Sequence, residues 1–348
     1  MNKLFCCGNC FNDKFLTQFI KTGGEVHPVC SFCGKRDTEC IEPYKLTHLF
    51  QPLIELYAIN GGEQGKQGKR LWDLLKKDWL LFDSLTPDAC ERLLSIILPD
   101  EKLSQKYFLE RESASADEQI SKWTKFKDEL KHVNRYFCDN SPEQEPLGVM
   151  FSFLIKKVEP PTSFFRARVS YDSKLFQIDD MGKPPAEKVG NGRANPIGIS
   201  YLYTASDSET AIAELRPHVG DYVCVCEFRA TEALEFVDLR NPRETISPFD
   251  ISHNEGRLED AIDRLEYLNK LGKELSKPVI PREANLEYLS SQYLCELIKN
   301  FKYDGVVYKS SVGAGDNYAI FNDKDINGEN ISMVGITGSS YKTELIQV

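Results

Sequence analysis

The strongest constraint on the fold is a pattern of four cysteines near the start of the chain. Cys7 and Cys10 are separated by two residues, as are Cys30 and Cys33, and 19 residues lie between the pairs. Two residues between thiolates allow a tight turn to aim both sulfurs at one ion, and four thiolates complete a closed tetrahedral zinc site. The pattern therefore predicts a structural Zn²⁺ in a zinc-ribbon-like module over residues 1–45, a stretch too short to bury a core of its own.

The ligand set is less constrained than the site. Cys6, Cys40 and His27 lie in the same stretch and stay open as substitutes for one of the four. Six of the eleven cysteines fall within the first 40 residues. In a reducing compartment such clustering indicates metal binding rather than disulfides.

The composition is that of a soluble globular protein. With 348 residues, 41% of them hydrophobic and 28% charged, we expect two or three domains. No run approaches the 18 or so apolar residues of a membrane span, and the start of the chain has no apolar signal region, which predicts a cytoplasmic protein without a membrane partner. The net charge of −10 disfavours nucleic acid as a partner, because such a surface repels polyphosphate.

Residues 46–145 have the periodicity of a helical domain. Apolar side chains recur at helical spacing, and Thr86-Pro87 forms an N-cap followed by a first-turn proline. A polar segment with two prolines at 139–147 then reads as a linker. The predicted helices are Leu46–Ile59, Leu71–Phe82, one from Pro87 to Leu98, and one that starts at a capping box of Ser115 and Glu118 and reaches about Tyr136.

From residue 150 to 348 short β-rich runs alternate with helices, which predicts an α+β domain with a mixed or antiparallel sheet. The helices are expected at about 207–216, 256–274 and 284–300. The predicted strands are Phe164–Val169, Tyr201–Thr204, Tyr222–Phe228, Leu234–Val237, Gly305–Tyr308 and Tyr318–Phe321.

This last region also carries the residue types of a dinucleotide site. The planar fork of an arginine can hold a diphosphate, and a tyrosine face can stack on a flat cationic ring. A glutamate can hydrogen-bond a ribose hydroxyl and stabilise an oxocarbenium-like transition state, as carboxylates do in glycoside cleavage. Any chain of this size contains these residue types, so chemistry alone makes this a weak signal.

Four segments in order resemble the RES domain, a family named for its Arg, Glu and Ser, over about residues 160–322. The resemblance implies an ADP-ribosyltransferase-like fold that binds NAD⁺ as substrate and breaks its nicotinamide–ribose bond, with many members acting as toxins of toxin–antitoxin pairs. The segments are FFRAR (164–168), GRANP (192–196), YLYTASDSETAIAELRPH (201–218) and YDGVVYKSSVGAGDNYAIF (303–321).

The resemblance assigns catalytic roles position by position. Arg166 would hold the NAD⁺ phosphates, and Tyr203 would pack on the nicotinamide end. Glu214, eleven residues after Tyr203, would support the nicotinamide ribose, and Ser310 matches the family serine.

Four further residues follow as candidates for binding the dinucleotide. Arg168 is the alternative to Arg166, because strand alternation puts both on one face. Arg193 matches the arginine of the family's G-R loop, although small members usually place an aromatic where Ala194 stands here. Ser311 lies one place from Ser310, and Asn317 lies in the closing glycine-rich stretch.

The leading hypothesis is an NAD⁺ glycohydrolase or phosphorylase that acts as a bacterial growth-arresting toxin or defence effector. One alternative is an ADP-ribosyltransferase that modifies a protein or nucleic acid. Another is a zinc-ribbon adaptor whose C-terminal domain only binds a nucleotide.

Longer members of the family carry a helical segment similar to HEPN domains. The nuclease form of HEPN needs an arginine four to six residues before a histidine, and no histidine of the helical block has one. We therefore interpret this block as a non-nuclease scaffold. It is a candidate for binding an antitoxin or regulatory protein, or for forming a homodimer.

Overall fold

The computed structural model describes residues 3–60, 68–111, 114–253 and 257–338. By its internal contacts the chain divides into two compact units. The first comprises Met1–Gln119 with Asn241–Tyr267, and the second comprises Ile120–Arg240 with Leu268–Val348. The three-part division of the sequence into 1–45, 46–145 and 150–348 stays a prediction, and its last ten residues lie outside the described part.

The helices of the described residues are α1 (Lys14–Gly23), α2 (Thr47–Ile54), α3 (Leu71–Trp79), α4 (Pro87–Ile97), α5 (Ala114–His132), α6 (Gln144–Ser152), α7 (Ser208–Leu215), α8 (Pro242–Thr245), α9 (Pro248–His253), α10 (Leu258–Ser276), α11 (Ala284–Glu287) and α12 (Leu289–Asn300). The strands are β1 (Cys6–Cys7), β2 (Glu25–Val29), β3 (Arg36–Ile41), β4 (Lys69–Arg70), β5 (Tyr107–Phe108), β6 (Ile155–Val158), β7 (Ser163–Ser170), β8 (Leu202–Ala205), β9 (Tyr222–Ala230), β10 (Leu234–Asp238), β11 (Gly305–Lys309), β12 (Asp316–Ile320) and β13 (Ile326–Gly335).

The first unit begins with a small sheet in the order β1-β3-β2. Helix α1 lies between the two cysteine pairs in the chain, where the sequence analysis assigned no helix. It starts because the carboxylate of Asp13 accepts a hydrogen bond from the Leu16 N–H over 2.8 Å, as a helix N-cap does. Leu16 and Ile20, one turn apart on this helix, are both buried.

Aromatic rings form the centre of the first unit. Phe50 of α2 lies between three other phenylalanines, with ring centroids 6.0 Å from Phe11, 6.3 Å from Phe82 and 4.9 Å from Phe249. All four side chains are almost fully buried. Phe249 belongs to α9, so the segment Asn241–Tyr267 contributes to the core of this unit.

The second unit contains an eight-stranded sheet in the order β13-β9-β7-β8-β12-β11-β10-β6. Neighbouring strands run antiparallel except β10 and β11, which are parallel. A parallel pair needs a long crossover connection, and here the chain leaves the sheet after Asp238 and returns at Gly305. The predicted α+β class with a mixed sheet is confirmed.

The two faces of this sheet are packed differently. On one face Ala167 and Ala205 leave room for α7, which packs its Leu215 against them and against Val223 and Val225. On the other face Phe164, Phe236 and Tyr318 pack together. The Tyr318 ring meets Phe164 and Phe236 edge-on, at centroid distances of 5.0 and 5.3 Å.

No helix among the described residues is both long and apolar enough to cross a membrane.

Candidate functional site

The site is a cleft where two central strands of the sheet separate. In the described register β7 and β8 pair only at Phe165 and Ala205, whereas β7 pairs along its whole length with β9 on its other side. A cleft of about 250 Å³ opens there. Its lining residues are Phe165, Arg166, Ala167, Tyr203, Thr204, Ala205, Ala211, Glu214, Leu215, Tyr308 and Asn317.

Arg166 reaches across the separation between the strands. Its Nη1 donates a hydrogen bond to the backbone carbonyl of Tyr203 over 3.2 Å. Burial, reinforced by the charge of Arg168, lowers the pKa of the Arg166 guanidinium to about 10. Its Nε–H is buried and has no hydrogen-bond partner among the described residues.

Glu214 lies in the last turn of α7. The helix starts at Asp207, whose carboxylate caps the Thr210 N–H over 2.7 Å, and ends at Arg216 in the left-handed region with φ of 49°. The Oε1 atom of Glu214 accepts hydrogen bonds from Ser310 Oγ and Asn317 Nδ2, each over 2.6 Å. Helix α7, strand β12 and the turn after β11 therefore bring three predicted site residues together at one carboxylate.

The orientation of the Ser310 hydroxyl follows from its neighbours. Its Oγ accepts hydrogen bonds from the Val312 N–H at 3.2 Å and the Gly313 N–H at 2.8 Å. A serine hydroxyl has a single proton. Because the backbone donors occupy the oxygen's acceptor side, that proton points to Glu214.

The turn that follows Ser310 is held against the start of α7. The Gly315 N–H donates to Thr210 Oγ1 over 3.0 Å, and the Asp316 N–H donates to Ser206 Oγ over 3.0 Å. A Cβ atom on Gly315 would lie 2.2 Å from Asp207 Oδ2 and 2.4 Å from Ser206 Oγ, so only glycine fits this close approach.

Tyr203 lines the cleft and directs its hydroxyl to the loop 192–195. The hydroxyl accepts hydrogen bonds from the backbone N–H groups of Ala194 (3.0 Å) and Asn195 (3.2 Å), and donates to Asn195 Oδ1 over 2.7 Å. Burial raises the pKa of Tyr203. This tyrosine is thus a neutral residue that forms a wall of the cleft and fixes the neighbouring loop.

Four predicted residues are not among those that line the cleft. One of them, Ser310, is joined to the cleft through its hydrogen bond to Glu214. Arg168 donates from Nη1 to the carbonyl of Asp180 and lies over the Phe176 ring at 4.8 Å. Arg193 donates to the carbonyl of Lys277 over 2.5 Å and lies over the Tyr288 ring at 5.3 Å. Ser311 follows Ser310 in the turn but does not line the cleft. Their roles in binding stay predictions.

Two further residues shape this region and were not predicted from the sequence. Tyr308 lines the cleft and is 4% exposed; within a β-run it resembles an ordinary core aromatic. Gln292 of α12 is buried, and its Nε2 donates to the carbonyls of Gly192 and Asn195 over 2.8 and 3.0 Å. The sequence signal for Gln292 is a glutamine on the buried side of a helix, because a buried amide needs hydrogen-bond partners.

The four predicted zinc ligands converge in the first unit. The sulfurs of Cys7, Cys10, Cys30 and Cys33 all lie within 4.8 Å of one another. The Cys7–Cys33 and Cys10–Cys30 Sγ distances are both 3.4 Å, and these cysteines are not in disulfides. A tetrahedral ion with Zn–S bonds of about 2.3 Å needs sulfurs about 3.8 Å apart. The cluster fits a zinc ion with little adjustment.

The turn at the second cysteine pair is the knuckle that this chemistry requires. Gly34 adopts a φ of 74°, which favours glycine, and its N–H donates to the Cys30 carbonyl over 3.2 Å. Two of the three alternative ligands have other contacts. Cys6 directs its Sγ to the Ile41 carbonyl at 3.5 Å, and His27 stacks on Phe5 with centroids 3.8 Å apart.

The comparisons with known proteins agree with the predicted family. Residues 164–334 match the family model described as the RES domain. This part of the chain is a RES domain, and it contains Arg166, Tyr203, Glu214, Ser310 and Asn317.

Among solved structures, a chain of the crystal structure of the M. tuberculosis MbcT–MbcA toxin–antitoxin complex is 11% identical, with 55% of this chain and 93% of that chain covered. Its TM-score is 0.32, and at that score the likeness supports no conclusion about this chain. No curated protein matches the chain.

Proposed function

We propose that the RES domain of this chain is an enzyme that cleaves NAD⁺ at the nicotinamide–ribose bond. The observation that carries the proposal is the environment of Glu214. Two donors, Ser310 Oγ and Asn317 Nδ2, fix its Oε1, and Arg166 lines the same cleft. A carboxylate and a guanidinium in one cleft match a substrate that carries both a sugar and a diphosphate.

Glu214 would stabilise the charge that develops on the ribose. Departure of neutral nicotinamide leaves an oxocarbenium-like sugar, and a carboxylate held beside it lowers the barrier without moving during the reaction. Both hydrogen bonds to Glu214 end on Oε1, and Oε2 accepts none from the described residues. Oε2 is therefore the atom assigned to the ribose hydroxyl.

The other residues would position the substrate. Arg166 is assigned to the diphosphate, because it is an arginine on a fixed strand that lines the cleft. Tyr203 is assigned to the nicotinamide end, where it lines the cleft. Orientation of this kind accelerates a reaction whose leaving group needs no strong acid.

The test is nicotinamide release by the full-length protein incubated with NAD⁺. Glu214→Gln keeps the size of the side chain and removes its charge, and we expect release to fall by about 100-fold or more. Glu209→Gln, in the first turn of the same helix, is the matched control and should keep full activity. Equal release by the wild type and the Glu214 variant would refute the proposal.

Product analysis separates the acceptors. Water yields ADP-ribose, and inorganic phosphate yields ADP-ribose carrying a phosphate on the former nicotinamide ribose. Labelled ADP-ribose attached to a protein or nucleic acid, and absent with Glu214→Gln, would instead establish an ADP-ribosyltransferase. Either of the first two products would support cleavage of NAD⁺ without modification of a protein or nucleic acid.

The family resemblance extends the proposal to growth arrest in a bacterial cytoplasm, with an antitoxin or regulatory protein as partner. Depletion of NAD⁺ would stop growth whichever acceptor is used. Induced expression should halt bacterial growth, and Glu214→Gln should restore it. Growth arrest that persists with this variant would assign the toxicity to another part of the chain. Dimerisation through the helical block remains a prediction.

The cysteine cluster is proposed to hold a structural zinc ion. Four thiolates fill a tetrahedral coordination sphere, so the site has no open position for a substrate. Its function would be to hold β1, α1 and the strands β2 and β3 in place.

A further inference from the structure

Tyr308 is a buried tyrosine whose hydroxyl has no partner in the described part of the protein. The side chain is 4% exposed, and its hydroxyl forms no hydrogen bond with the described residues. The hydroxyl oxygen is not one of the unpartnered atoms sealed from solvent, so it reaches solvent through the cleft that Tyr308 lines. Tyrosine hydroxyls in buried sites normally find a partner. By contrast with Tyr203, whose hydroxyl is held by the loop 192–195, Tyr308 keeps a polar group for a ligand.

The strand register places Tyr308 on the face of the sheet that carries Glu214. Tyr308 pairs with Asn317, and Asn317 pairs with Ala205. Directly opposed residues of antiparallel strands project on the same face. Helix α7 packs on Ala205, and Glu214 of that helix accepts a hydrogen bond from Asn317. The Tyr308 side chain therefore projects to the side of the sheet on which the Glu214 carboxylate lies.

The hydroxyl of Tyr308 remains protonated beside this carboxylate. Burial raises the pKa of Tyr308 well above its ordinary value, and the negative charge of Glu214 adds to the rise. Because the interaction between two charges weakens with distance, this contribution indicates that the hydroxyl and the carboxylate are neighbours in the cleft. A protonated phenol can donate one hydrogen bond and also accept one.

These two groups together suit the hydroxyls of a sugar. Glu214 Oε2 accepts no hydrogen bond from the described residues, and an ionised carboxylate can only accept, so it suits the proton of one ribose hydroxyl. The phenol of Tyr308 can donate to the adjacent hydroxyl or accept from it. A phosphate in the same place would be repelled by the carboxylate. The ribose therefore fits this end of the cleft better than the diphosphate does.

We propose that Tyr308 is a substrate-binding residue whose hydroxyl forms a hydrogen bond with a hydroxyl of the nicotinamide ribose, next to the hydroxyl held by Glu214. This rests on the proposed function of the cleft and adds a specificity to it, because the site would select a ribose over a deoxyribose at the position that nicotinamide leaves. Tyr308 lies two residues before Ser310. Strand β11 and the turn after it would thus supply a sugar contact and the serine that holds Glu214.

The experiment compares Tyr308→Phe with wild type in the full-length protein. The substitution removes the hydroxyl and keeps the ring. Calorimetric titration with ADP-ribose and with ADP, which lacks the terminal ribose, isolates the contribution of that sugar. Two analogues of ADP-ribose, each lacking one hydroxyl of the terminal ribose, identify the hydroxyl concerned. Tyr222→Phe, at a tyrosine that is 44% exposed, is the matched control.

We expect Tyr308→Phe to bind ADP-ribose about three- to tenfold more weakly than wild type, because one hydrogen bond between neutral groups is lost. Affinity for ADP should stay within about twofold in both variants, and Tyr222→Phe should bind ADP-ribose as wild type does. Wild type should bind both deoxy analogues more weakly than ADP-ribose, and Tyr308→Phe should no longer discriminate against one of them. The melting temperature of Tyr308→Phe should equal or exceed that of wild type, whereas loss of a hydroxyl that served only the fold would lower it.

The outcomes are separable from those of the proposed function. Unchanged ADP-ribose affinity in Tyr308→Phe overturns this inference, as does an equal loss of affinity for ADP. A loss for NAD⁺ alone, measured in a Glu214→Gln background that prevents turnover, would assign the hydroxyl to the nicotinamide carboxamide and also overturns it. If Tyr308→Phe does not fold, wild-type affinity that falls for only one or neither of the deoxy analogues overturns it. Selectively weakened ADP-ribose binding by Tyr308→Phe, without any NAD⁺ cleavage by the wild type, would uphold the inference and refute the proposed reaction.

Discussion

The hydroxyl of Ser310 donates to the carboxylate of Glu214 over 2.6 Å, although the two residues lie 96 positions apart in the chain. The serine is fixed by two backbone N–H groups of its own turn, and the glutamate is fixed by the helix that carries it. Both side chains are therefore already held in the orientation of their shared hydrogen bond. We therefore propose that Ser310 positions the carboxylate of Glu214.

This relationship predicts an asymmetry between neighbouring serines. Ser310→Ala should lower kcat for NAD⁺ cleavage by about 10- to 100-fold, the cost of removing a hydrogen bond to a charged group. Ser311→Ala should leave kcat within about twofold, because among the described residues the hydrogen bonds to Glu214 come from Ser310 and Asn317 and not from Ser311. Steady-state nicotinamide release measures both. Equal loss in the two variants would show that the turn as a whole, rather than the Ser310 hydroxyl, is required.

The hydroxyl of Tyr203 predicts a loss of stability. Tyr203→Phe keeps the ring but leaves the N–H groups of Ala194 and Asn195 without their acceptor, and both residues are buried. The free energy of unfolding should fall by about 1–3 kcal/mol, measured by urea denaturation. Tyr222→Phe, at a tyrosine that is 44% exposed, is the control. A Tyr203→Phe variant as stable as this control would contradict the assigned role of the hydroxyl.

The cysteine cluster predicts a specific metal content. Purified protein should contain about one zinc ion per chain, and Cys10→Ser should lose it. Cys6→Ser should retain the metal, since Cys6 directs its sulfur to the Ile41 carbonyl. Elemental analysis decides both, and a Cys6 variant without zinc would reassign the ligand set. NAD⁺ cleavage by folded Cys10→Ser should persist, because a closed site takes no part in the reaction.

Glu227 predicts a dependence of stability on pH. Hydrogen bonds from Ser163, Asn330 and Arg229 lower the pKa of Glu227 to about 2. The unfolded value is about 4.3, so the carboxylate stabilises the fold above that pH, and this contribution is lost as the pH falls toward 2.

The measurement is the unfolding free energy of wild type and Glu227→Gln at about pH 7, 5 and 3. The difference between them should be largest at the two higher values and should shrink at the lowest. Glu232→Gln, an exposed glutamate nearby in the chain, provides the control. A difference that stays constant over the range would mean that the charge of Glu227 adds nothing.

The central strands could be predicted from sequence, and the edge strands could not. Predicted strands such as Phe164–Val169 and Gly305–Tyr308 match β7 and β11 to within one residue at each end, because both segments are rich in aromatic and β-branched residues. The missed strands β6 and β13 are the two edges of the sheet. Most of the β13 side chains are exposed, so no hydrophobic pattern marks this strand.

The candidate site, too, could be predicted from the sequence only in part. The residues at the cleft could be proposed from motif order, since Arg166, Tyr203, Glu214 and Asn317 all lie within matching segments. Three features depend on tertiary contacts that no local pattern encodes. These are the single pairing between β7 and β8, the contact of Arg193 with Tyr288, and the amide of Gln292 beneath the 192–195 loop.

The crossover between the parallel strands β10 and β11 limits how the chain can be divided. Part of that connection, Asn241–Tyr267, belongs to the first compact unit, where Phe249 packs on Phe50. A fragment that begins near residue 150 would contain every residue of the cleft but would leave Phe249 and Ile251, both almost fully buried, with their apolar surface in water. We therefore expect that the RES domain does not fold as an isolated fragment, and that a fusion to another protein would need the N-terminal residues as well.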